Sequence, residues 1–88
     1  MFEAVQFIEY RGVPEPVETV LAEHSDEIEA VTAAREARRT FMESDADEYA
    51  WWVVREKGAK LANFIADSKS KKEFVLDLTS GELIEIPG

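Results

Sequence analysis

The chain has 88 residues, 45% of them apolar, a net charge of −9 and no cysteine. That length suits a single domain spanning residues 1–88, and the apolar content is too high for intrinsic disorder. The longest uninterrupted apolar run, Ala50 to Val54, falls far short of the roughly 20 residues a membrane span needs, and without cysteine there is no disulfide framework, thiolate metal site or cysteine nucleophile.

The elements follow in chain order. Residues 2–10 place Glu3, Val5, Phe7 and Glu9 on one side and Phe2, Ala4, Gln6, Ile8 and Tyr10 on the other. Their aromatic and β-branched content predicts a strand. Gly12 and the prolines Pro14 and Pro16 mark a turn or loop. Residues 17–23 fit either a second strand or a first helical turn. The strand is preferred because Ser25 and Asp26 form a helix start, with Glu29 at capping-box spacing from Asp26. From there a helix is predicted over about residues 26–43. Its first turn carries Asp26, Glu27 and Glu29 against the positive end of the dipole. Ala30, Ala34, Ala37 and Phe41 share one face, flanked by Ile28, Val31 and Ala33. An alanine-rich stripe lets a helix lie close on a sheet, with Phe41 as its one large anchor.

After a polar loop over residues 43–48, four strands are predicted: Tyr49 to Arg55, Lys60 to Ala66, Glu73 to Leu78 and Glu82 to Ile86. A three-residue loop with Gly81 left-handed pairs Leu78 with Glu82, Leu76 with Ile84 and Phe74 with Ile86. That register puts Phe74, Leu76, Ile84 and Ile86 on one face and is preferred to a two-residue loop for that reason. The sum is an α+β two-layer sandwich: one helix on a mostly antiparallel sheet of five or six strands, ending in a β-meander.

Trp51 and Trp52 are the most informative pair for function. Adjacent strand residues point to opposite faces, so the two cannot share one core. A turn at Glu56-Lys57-Gly58 pairs Trp52 with Ala62 and Ala50 with Phe64, and this set suits the side beneath the helix; a two-residue loop at Lys57-Gly58 would scramble these pairs and leave open which tryptophan lies there. The other side then carries Tyr49, Trp51, Val53, Arg55, Leu61, Asn63 and Ile65, a candidate partner-binding surface. Apolar patches of that size on monomers are rare, and Trp and Tyr concentrate at binding hot spots. The surface calls for internal coverage, a second copy in a homodimer, or another protein partner.

Charge sharpens the list of partners. Residues 1–48 hold 13 acids and four bases, residues 49–88 hold six of each, and all five lysines lie in the second half. A polyanion is repelled by such a first half, so no direct nucleic-acid binding is expected. Acidity first serves solubility, and no membrane partner is expected. Met1-Phe2-Glu3-Ala4 shows no basic stretch ahead of an apolar core, so no secretory signal is read and a cytoplasmic location is the default.

Catalytic chemistry finds little footing. His24, the only histidine, sits at the strand-to-helix junction. Asp45, Asp47 and Glu48 lack the further ligands of a calcium loop, so no metal and no cofactor is expected. Lys69, Lys71 and Lys72, joined by Lys57 and Lys60 if the turns meet at one end, are a candidate anion site, against the simpler reading of a charged loop blunting a sheet edge. No glycine-rich phosphate cradle or nucleophilic triad occurs at motif spacing. The expectation is a small non-enzyme interaction or regulatory module using the aromatic sheet face. One alternative is a small-molecule binder or minor enzyme with a helix/sheet pocket built from residues such as Arg38, Tyr49 and Asn63. A second is an acidic, DNA-mimicking decoy using acids from Glu15 to Glu48.

Overall fold

In the computed structural model, which describes residues 1–69, 72–77 and 80–86, the chain runs β1 (Phe2–Glu9), β2 (Val17–His24), α1 (Glu27–Glu43), β3 (Tyr49–Glu56), β4 (Ala62–Asp67), β5 (Glu73–Leu76) and β6 (Leu83–Ile86). The six strands form one sheet in the order β2-β1-β3-β4-β5-β6, every neighbouring pair antiparallel. This is the expected α+β sandwich with a C-terminal meander. Residues 17–24 are strand, not helical turn. No helix among the described residues is long and apolar enough to cross a membrane.

Connectivity explains where the helix lies. β2 and β3 are both antiparallel to β1, so they run parallel to one another, and parallel strands need a long crossover. α1 is that crossover. It packs over β1, β2 and β3, reaches β4, and leaves β5 and β6 beyond it.

The helix begins at the expected residue. Asp26 is the N-cap, with extended backbone, and its carboxylate accepts a hydrogen bond from the Ile28 amide at 2.9 Å. At the other end Ser44 caps the helix through the Phe41 carbonyl, and Asp45 takes a left-handed φ of 60°, which a short polar side chain tolerates. Ala30 and Ala34 are fully buried on Ala4, Ala50, Trp52, Val54, Phe64 and Ala66 of the sheet. Phe41 meets Trp52 edge-on, with centroids 5.3 Å apart. Ile28, expected to flank the buried stripe, is instead 75% exposed.

Two strand registers differ from the expected ones. In the β3–β4 pair, Trp52 faces Ala66, Val53 faces Ile65 and Val54 faces Phe64, with a bulge before Arg55↔Ala62. The expected pairs Trp52–Ala62 and Ala50–Phe64 are absent. A turn does close at Glu56, where the Ala59 amide donates to the Glu56 carbonyl at 2.8 Å, but Lys60 and Leu61 follow it before β4 begins at Ala62, so the two strands do not meet in a tight hairpin. Gly58 sits in that turn at φ 86°. The slip is of four residues, an even number, so each strand residue paired ahead of the bulge keeps its face.

In the β5–β6 hairpin the slip is of one residue. Phe74 faces Glu85, Val75 faces Ile84 and Leu76 faces Leu83. Phe74 and Leu76 therefore lie on the face away from α1, while Val75 and Ile86 pack against the helix-side core. The cause is the loop: the Asp77 amide donates to the Glu82 carbonyl and the Gly81 amide to the Asp77 carbonyl, which closes four residues rather than three. Gly81 is left-handed as expected, at φ 75°. Leu78, placed opposite Glu82 by the shorter loop, lies outside the described residues.

Candidate functional site

Strand alternation sends the two tryptophans apart. Trp52 is fully buried beneath α1, and its indole Nε1 donates to Gln6 Oε1 at 3.0 Å. A buried indole needs such a partner. Trp51 lies on the opposite face, half-buried, and no described element covers it.

Along β3 that open face changes character from one end to the other. At the Arg55 end, Arg55 Nε donates to Glu3 Oε1 at 3.3 Å, and its two terminal nitrogens reach Glu18 at 3.4 and 3.5 Å. Burial opposes the Arg55 charge, but the hydrogen bonds it donates to Glu18 and Glu3 and their negative charges outweigh it and raise the pKa above the ordinary arginine value. This network spans β1, β2 and β3 and closes that end. Next come Val5 and Val53, paired across β1 and β3 and both buried without any helix above them. On the same face they stand among Phe7, Trp51 and Ile65.

The aromatic end follows. Phe7 stacks on Trp51, with centroids 5.1 Å apart and planes 9° from parallel. Tyr49 tilts against the same indole at 5.5 Å. The Tyr49 hydroxyl donates to Asp67 Oδ2 at 3.0 Å. Its pKa is raised above 10.0, first by burial, then by the hydrogen bond and charge of Asp67 and by the charge of Glu9. Beside this row opens a groove of about 300 Å³, lined by Tyr49, Trp51, Ile65 and Phe74 together with Glu9, Asp67 and Lys72. Leu76 and Leu83 extend the apolar surface towards the far edge.

Of the seven residues singled out from sequence, Tyr49, Trp51, Val53, Arg55 and Ile65 share this face. Arg55 serves the ion network. Leu61 precedes β4 and is 70% exposed, and Asn63 is the unpaired residue of the bulge between Phe64 and Ala62, so neither takes its expected place beside Trp51. Phe7, Phe74 and Asp67 were missed. Phe7 was legible from alternation in β1, but its adjacency to Trp51 required the β1–β3 pairing. Phe74 is expected to share a face with Ile84 and Ile86, and the one-residue slip instead pairs it with Glu85, on the face of Ile65 and Trp51.

The lysines do not assemble into one patch. Consecutive turns of a meander lie at opposite ends of the sheet, so Lys57 and Lys60 are separated from Lys69 and Lys72. Lys57 pairs with Glu23 at 3.4 Å and Lys72 with Glu85 at 3.8 Å, while Lys69 Nζ lies 5.5 Å from the Tyr49 ring centroid. Lys71 lies outside the described residues. The residues suggested for a helix/sheet pocket are also dispersed: Arg38 Nε donates to the Asp67 carbonyl from the helix side, and Tyr49 reaches the Asp67 carboxylate from the other. Hollows do flank α1 where it stops short of β5, one of about 520 Å³ including Ile28, Val31, Arg35 and Val75. Arg35 there is paired with Glu73 at 3.0 Å.

No protein-family model, curated protein or solved structure matches the chain.

Proposed function

We propose that this domain is a non-catalytic interaction module that binds a protein partner, or a second copy of itself, through the sheet face centred on Trp51. One observation carries the reading: Phe7, Trp51 and Tyr49 form a continuous aromatic row beside an apolar groove, on a face that no described element covers. Antiparallel sheets that leave one face to water normally alternate apolar inside with polar outside. Here large apolar side chains stand on both faces. Aromatic anchors next to a pocket, ringed by polar groups, match the anatomy of a binding hot spot. Lack of cysteine suits a reducing cytoplasm, to which we assign its action.

The test compares the two faces. A photo-crosslinking residue is placed at Leu83 on the open face, or at Thr40 on the exposed side of α1, and irradiated in extract of the source cells. The Leu83 position is expected to give a discrete adduct, either a partner or a chain dimer, that Trp51→Ala removes. Equal adducts from both positions, or an adduct indifferent to Trp51→Ala, would overturn the reading.

A further inference from the structure

Resting on that reading, we infer that the groove beside Trp51 receives an arginine side chain from a basic segment of the partner. The apolar and the charged lining residues ask for different chemistry. Trp51, Phe74, Tyr49 and Ile65 present aromatic and aliphatic surface, which suits a methylene stem and a planar cation lying over a ring. Asp67 and Glu9 line the same groove, together with Lys72. Asp67 spends Oδ2 on the Tyr49 hydroxyl, which fixes the carboxylate against the aromatic wall. Guanidinium combines a flat, weakly hydrated face for stacking with N–H groups for carboxylates, so arginine fits this pairing better than lysine.

The charge around the groove points the same way. The Tyr49 hydroxyl is pushed above its ordinary range first by burial and then by the hydrogen bond and charge of Asp67 and the charge of Glu9. The adjoining hollow, which shares Glu9 and Tyr49, adds Asp47 and Glu48 against Arg11. The nearby lysines are engaged within the chain: Lys72 with Glu85, and Lys69 over the Tyr49 ring. Lys69 also shows that a cation already settles on this aromatic surface. A volume of about 300 Å³ sits at the low end for ligand pockets and suits one side chain rather than a whole peptide. At longer range the net charge of −9 draws a basic partner in and repels an acidic one.

The experiment uses hexa-arginine, hexa-lysine and hexa-glutamate peptides as probes, with the two indole N–H signals followed by NMR. Trp52 Nε1 is buried and bonded to Gln6, so it serves as the internal control. Hexa-arginine is expected to shift the Trp51 signal saturably and leave Trp52 in place, with hexa-lysine weaker and hexa-glutamate inert. The double variant Glu9→Gln/Asp67→Asn should bind about tenfold more weakly. A Glu27→Gln/Glu29→Gln variant, which removes the same charge from the first turn of α1, should bind hexa-arginine within about twofold of the parent, since solvent-screened charges away from the site contribute little. Equal loss in both double variants would mean diffuse attraction to an acidic surface and would overturn the inference. So would an unmoved Trp51 signal, or equal binding of hexa-glutamate. If Trp51→Ala removes the Leu83 crosslink while hexa-arginine leaves Trp51 unmoved, the interaction reading stands and the arginine inference falls. If the crosslink is also indifferent to Trp51→Ala, both fall.

Discussion

Beneath α1 the sheet meets the helix through alanines, with Ala4, Ala50 and Ala66 lying under Ala30 and Ala34, and Trp52, Phe64 and Val54 as the largest fully buried side chains of that core among the described residues. On the other face the large side chains Phe7, Tyr49, Trp51, Ile65 and Phe74 stand together with no second layer. Small residues on one side bring two backbones close and fill the space between them. On the other side Val5 and Val53 are buried with no second layer above them, among larger side chains of the same face. The difference teaches that burial on this sheet has two sources. One is a packed layer, which responds to volume. The other is mutual cover among side chains, which leaves their outer surfaces available for recognition.

The tryptophans give the sharpest contrast. Trp52→Ala should cost about 3–5 kcal/mol, because it removes a fully buried indole and opens a cavity. Trp51→Ala should cost only about 0.5–1.5 kcal/mol beyond its partial burial, the worth of an aromatic pair, while abolishing partner binding. Urea unfolding measures both, and equal losses would erase the distinction between the faces. Next in size is volume added to each side. Ala34→Leu drives a side chain into the closed helix-sheet contact and should cost about 1–3 kcal/mol. Val20→Leu, on the exposed part of the open face, should stay within about 0.5 kcal/mol.

The ion network at the Arg55 end allows a third comparison. Arg55→Met leaves the Glu3 carboxylate, only 11% exposed, without its cation, and should cost about 1–2 kcal/mol, less than the loss for a fully buried pair. Glu3→Gln added to it should recover part of that loss, and failure to do so would mean that Arg55 acts by packing alone. The smallest effect is expected at Tyr49. Its folded pKa lies above 10.0, so the neutral phenol is favoured in the folded state. That contribution to stability is complete below pH 10 and is lost as pH rises through the folded value. In a Tyr10→Phe background, which leaves Tyr49 as the single tyrosine, absorbance titration should show Asp67→Asn moving the midpoint down towards 10.0. An upward movement would contradict the role given to the Asp67 charge.

Local signals were enough for the elements. The Asp26 cap, the alanine stripe and the alternation in residues 2–10 and 49–55 each depend on neighbours within a few residues, and each element formed where those signals stood. The opposition of Trp51 and Trp52 followed from the strand period alone. It survived a wrong β3–β4 pairing because that error was of even length. The β5–β6 error was of odd length, so it grouped Phe74 with Ile84 and Ile86, which lie on the other face. Asp67 was missed because the expected strand ended at Ala66.

By itself, then, the sequence determined the helix, the strands, the uneven charge and the fact that one tryptophan must face away from the helix. These follow from backbone geometry and from contacts close along the chain. Only the tertiary structure decided that Phe7 stacks on Trp51, that Arg55 ties Glu3 to Glu18, and that Phe74 and Asp67 complete a groove with Tyr49. Those contacts join β1 to β3, β2 to β3, and β4 to β5. Each depends on a register set by ladder bonds such as Lys57 to Met1 and by loop closures such as Gly81 to Asp77, where one residue of slip exchanges the two faces of a strand.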